Sequence, residues 1–108
     1  MSIWYSASLF FESTVEPPAS VPRLWEEVIV LITAGDEAAA QTKADEIGRS
    51  KEHQYFVVEP PRHIVRWKFV RTERVCEIDT DILRDGTELF SRFLRMEEAT
   101  SLLKPLVN

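Results

Sequence analysis

From Ile3 to Phe11 the odd positions of the chain are apolar throughout, reading Ile3, Tyr5, Ala7, Leu9 and Phe11. The even positions are mixed: Trp4, Ser6, Ser8, Phe10 and Glu12. A period of two predicts a strand over residues 3–13 with one face turned to a core. Pro17, Pro18 and Pro22 then fix φ and withdraw ladder donors, so residues 14–22 read as a loop. A second strand is predicted over residues 24–34. Its centre, Val28, Ile29, Val30, Leu31 and Ile32, is apolar at every position. An uninterrupted run of this kind predicts a strand covered on both faces.

A helix follows. Asp36 can cap its first turn by accepting free amide hydrogens, and Ala40, Ala44 and Ile47 form an apolar stripe at helical spacing. Gly48 is expected to end it in the left-handed conformation. Residues 55–59 read as a short strand stopped by Pro60 and Pro61, and residues 63–78 as a long β-rich run. The polar patch Arg71, Thr72, Glu73 and Arg74 predicts a bend, a bulge or a turn within that run. Asp85-Gly86 is a turn signal, with a strand expected over 87–94 and a short helix over 97–104 closed by Pro105. The order strand, strand, helix, strands, helix predicts an α+β fold. Its antiparallel sheet should have about five strands, with both helices on one face.

At 108 residues the chain has the length of one domain, and its apolar (44%) and charged (29%) fractions exclude wholesale disorder. Cys76 is the lone cysteine, which excludes an intramolecular disulfide and a thiolate metal cage. No apolar run approaches the ~20 residues of a membrane span, and the first residues lack the positive charge of a secretion signal. A cytoplasmic protein with no membrane partner is therefore expected. The net charge of −5 disfavours phosphate backbones. Yet Arg62, Arg66, Lys68, Arg71 and Arg74 gather in one stretch against Glu73 alone. These cations read first as a solvated strand face. Single-stranded nucleic-acid binding, with Trp67 stacking on a base, is the alternative.

Candidate chemistry fails on spacing. His53 and His63 lack the spacing of a zinc-binding helix. Asp79, Asp81 and Asp85-Gly86 suggest a calcium loop, but Leu83 and Arg84 stand where an oxygen ligand and a glycine are needed. Gly35, Gly48 and Gly86 are scattered singly and build no phosphate cradle. Glu26 and Glu27 point to opposite faces of their strand, although Glu27 could meet Glu12 or Arg66 across the sheet. Neither a catalytic set nor a cofactor is expected.

Trp4, Trp25 and Trp67 read either as core anchors or, with Phe10, as part of a face turned away from the helices. Aromatic residues mixed with arginine are the types that anchor interfaces. The candidate interaction surface is accordingly Trp4, Phe10, Trp25, Glu27, Arg66, Trp67, Lys68 and Arg92. If two helices cover one face, either the proline loop or a second copy of the chain must cover the doubly apolar strand on the other. A homodimer that also binds an unidentified protein partner is the favoured reading. A small-molecule site under the 16–22 loop, lined by Trp25 and Glu27, is a further alternative.

Several segments together resemble a known family. They are Trp4-Tyr5-Ser6-Ala7, Leu24-Trp25-Glu26-Glu27, Ala44 with Glu46-Ile47-Gly48, Val65-Arg66-Trp67-Lys68-Phe69-Val70, and Asp85-Gly86-Thr87-Glu88 followed by Ser91-Arg92. In combination they are similar to the mainly bacterial family of small stand-alone proteins catalogued as domain of unknown function 4288. The resemblance covers nearly the whole chain and implies no activity.

Overall fold

The computed structural model describes residues 2–18, 23–79 and 82–104. Strand β1 (Ile3–Glu16) is flanked on both sides by antiparallel partners, β2 (Trp25–Ala34) and β4 (His63–Glu77). Strand β3 (His53–Val57) pairs antiparallel with β4, giving the sheet order β2-β1-β4-β3. Helix α1 (Glu37–Ser50) connects β2 to β3, and α2 (Met96–Leu103) lies near the C-terminus.

The odd positions of β1 carry the core. Tyr5, Ala7, Leu9 and Phe11 are buried, and the register sets Tyr5, Ala7 and Leu9 beside Ile32, Val30 and Val28 of β2. Cross-strand neighbours share a face, so these residues form one apolar surface, and α1 covers it. Ala40 and Ala44 are wholly buried there. Asp36 caps the helix as expected, its Oδ1 accepting the Ala39 N–H at 2.8 Å.

Gly48 does not end α1, which runs on to Ser50 and is capped by Lys51. The glycine is needed because a Cβ there would strike the ring of Phe69. That ring packs tilted against Phe11, with centroids 5.6 Å apart. The polar patch of β4 is bulged rather than turned. Pairing with β1 steps from Ser8↔Arg74 to Leu9↔Thr72 and again from Phe10↔Arg71 to Phe11↔Phe69, passing over Glu73 and Val70. Each extra residue is absorbed while the strand continues.

Three expectations are corrected. The sheet has four strands, not five: residues 87–95 carry no ladder and cross the sheet's second face as an arm. The two helices do not share a face. Only α1 packs on the strands, while α2 stands across a groove from Phe10, Trp25 and Glu27 on the opposite side. Finally, β2 is an edge strand. Ile32 and Ala34 are buried beneath α1, but Ile29 and Leu31 on the other face are 48% and 44% exposed. The apolar run is covered on one face only. Among the described residues, no helix is long and apolar enough to cross a membrane.

Candidate functional site: a groove between the open face and the arm

The even positions of β1 build the second face. Trp4, Ser6, Ser8, Phe10 and Glu12 sit beside Thr33, Leu31, Ile29, Glu27 and Trp25 of β2. On the other side Ser6, Ser8, Phe10 and Glu12 sit beside Cys76, Arg74, Arg71 and Lys68 of β4. Ser6 and Ser8 are nearly or wholly buried although no helix lies over them, because the arm does. Serine is small enough to let a chain cross and polar enough to bond what crosses. The Ser6 hydroxyl donates to the Leu89 carbonyl. The Ser8 hydroxyl donates to Glu27 Oε2 at 2.5 Å, and Arg92 Nη2 lies 3.8 Å from Glu27 Oε1. Arg74 donates to the Ser91 carbonyl at 3.0 Å. The guanidinium groups of Arg74 and Arg92 each approach the Phe90 ring, 5.8 Å from its centroid.

Beyond these contacts the arm rises from the sheet and leaves a groove of about 610 Å³. Phe10, Trp25 and Glu27 form its sheet side, and Arg92, Leu94 and Leu102 its arm side. Glu26, Glu97 and Glu98 complete a rim in which four carboxylates outnumber the one guanidinium of Arg92. Glu98 is held below the usual carboxylate range by the hydrogen bond from the Arg95 backbone N–H and then by the Arg95 side chain, so it is anionic at neutral pH. The backbone bond is one half of a capping box, with Glu98 reaching back to the amide of the residue before the first turn of α2. Phe10 and Trp25 also line a neighbouring hollow of about 350 Å³ with Val70, Arg71 and Glu73.

Of the residues singled out from sequence, Trp4, Phe10, Trp25, Glu27, Arg66 and Lys68 share this face, and Arg92 reaches it from the arm. Trp67 does not. It pairs with Ser13 on the helix-covered face and packs against the core. A base stacked on Trp67 would therefore lie on the opposite side of the sheet from Arg66 and Lys68. Arg66 is engaged with Glu16 at 3.4 Å and Gln54 at 3.2 Å, and Arg74 with the arm. Glu27 meets Ser8 and Arg92 rather than Glu12 or Arg66, while Glu12 pairs with Arg23 at 2.6 Å.

The hollow beside Trp25 and Glu27 is walled by the arm and not by residues 16–18, and residues 19–22 lie outside the described residues. Sequence reasoning missed Ser6, Ser8, Leu94 and Leu102. The two serines left a signal, because they interrupt an otherwise apolar strand at two even positions in succession.

A four-stranded antiparallel sheet with one face under a helix and the other crossed by its own C-terminal arm defines a small α+β protein. Among its described residues no cluster of side chains could hold a metal ion. The chain belongs to the family described as Domain of unknown function (DUF4288), which matches residues 4–91 and so takes in α1 and all of the sheet except Ile3. No curated protein and no solved structure matches it.

Proposed function

We propose that this protein is a homodimeric interaction module whose groove takes a basic, apolar segment of a partner protein. One observation carries the reading: exposed apolar side chains from the arm and from the open face converge on a space rimmed by excess carboxylate. Trp25 is 57% exposed and Leu102 60% exposed across that groove. Large apolar residues gathered in this way are retained for a contact, and the negative rim selects a partner with cations beside its apolar anchors. The protein acts by binding, not by catalysis, and works in the cytoplasm. The cation row of β4 does not favour nucleic acid, since Arg66 and Arg74 are already engaged and Trp67 faces away.

The test is a fluorescence titration of Trp25 in a variant with Trp4→Phe and Trp67→Phe. Short peptides alternating Leu or Phe with Lys or Arg should shift the emission, and Trp25→Ala or Glu27→Gln in the wild-type background should weaken binding of the same peptides, read by calorimetry, about tenfold or more, as for a hot-spot truncation. Equal binding of acidic peptides of the same apolar content would refute the charge argument.

A further inference from the structure

The two edges of the sheet are built differently. The β3 edge is short, at five residues, and is followed closely by Pro60 and Pro61, which are common devices against edge pairing. The β2 edge is ten residues long, and no described strand pairs with its outer side. From Val28 to Ile32 it carries neither a charge nor a proline. A long apolar edge of this kind is a template for another strand.

We infer that the occupant is the β2 strand of a second copy, paired antiparallel about a two-fold axis at Val30, so that two sheets join into one of eight strands. The inference rests on the homodimer reading above and specifies its geometry.

Charge placement selects the second copy and the register. With the axis at Val30, Ile29 lies opposite the partner's Leu31 on the open face, and Val28 opposite the partner's Ile32 on the helix-covered face. Glu27 and Glu26 then lie opposite the partner's Thr33 and the partner's Ala34. That end of the strand already holds a cation, because Lys43 of α1 donates its ammonium to the Thr33 carbonyl at 2.5 Å. Each copy thus brings one carboxylate, that of Glu26 on the helix-covered face, toward a lysine of the other. Moving the axis to Ile29 would set Glu27 and Glu26 against leucine and isoleucine. Parallel pairing would stack each glutamate near its own copy, which is destabilising. A closed two-fold contact also uses the edge once per chain and prevents open-ended growth.

The experiment places a cysteine on the proposed axis, as Val30→Cys with Cys76→Ser. Cα atoms of directly opposed residues in an antiparallel pair are about 4.5–5.5 Å apart, within the roughly 4.4–6.8 Å that a disulfide spans. Mild oxidation should give a covalent dimer on a non-reducing gel. Glu26→Cys in the same background should stay unlinked, because its two copies would be roughly 27 Å apart at about 3.4 Å per residue. In parallel, Leu31→Lys adds a charge at a side chain already open to solvent. It should lower the dimer fraction at least tenfold by sedimentation while leaving the circular dichroism spectrum unchanged. If the wild-type protein is dimeric but Val30→Cys does not link and Leu31→Lys still dimerises, the edge geometry is wrong and the homodimer stands. If the wild-type protein sediments as one chain, the homodimer reading itself is overturned.

Discussion

Gly48 shows how one side chain, here an absent one, sets the distance between a helix and a sheet. Its neighbours on the buried stripe of α1 are Ala40 and Ala44, and the Phe69 ring fills the space a Cβ would take. Gly48→Ala would gain about 1 kcal/mol of helix propensity. It would lose about 3 kcal/mol by forcing a ring already packed on Phe11 to move. The net loss of about 2 kcal/mol should appear as a lower denaturant midpoint with an unchanged slope.

The aromatic residues show what alternation could reveal. A period of two is enough to place Trp4 and Phe10 together on one face of β1, and the structure leaves them there. The same rule, applied to residues 65–69, separates Trp67 from Arg66 and Lys68. Grouping all three by composition ignored the direction of adjacent side chains in a strand. That error was avoidable from the sequence.

At the level of elements, local signals were legible where a short stretch of chain decides the outcome. The capping carboxylate of Asp36 is one case, and its hydrogen bond to Ala39 makes a direct prediction. Asp36→Ala should cost about 1 kcal/mol, the usual worth of an N-cap, checked by thermal unfolding followed at a helix-sensitive wavelength. Edge or centre is a different kind of question. The apolar run of β2 has the composition of an interior strand, yet the long-range pairing of β1 with β4 takes the central place and leaves β2 outside. Nothing within residues 28–32 records which strand pairs with which. The arm was misread for a related reason. Residues 87–94 have strand-like composition, but their carbonyls bond Ser6 and Arg74 side chains instead of a neighbouring backbone.

The whole molecule is less compact than its length suggests. Its radius of gyration is 17.0 Å, with extents of 51 × 32 × 23 Å, against about 13 Å for a compact chain of this size. The extra length includes an arm and a helix with no buried residue, whose Phe93, Met96 and Leu103 face water. Ile29 and Leu31 on the β2 edge are likewise open to solvent. The proposed contacts would bury part of this surface: a second copy along β2 would cover Ile29 and Leu31, and a basic, apolar partner segment would cover Trp25, Leu94 and Leu102 in the groove beside the arm. The most direct check is the molar mass of the purified wild-type chain by sedimentation equilibrium at micromolar concentration. The account predicts a mass of twice 12.5 kDa, and a single species of 12.5 kDa across the concentration range would contradict it.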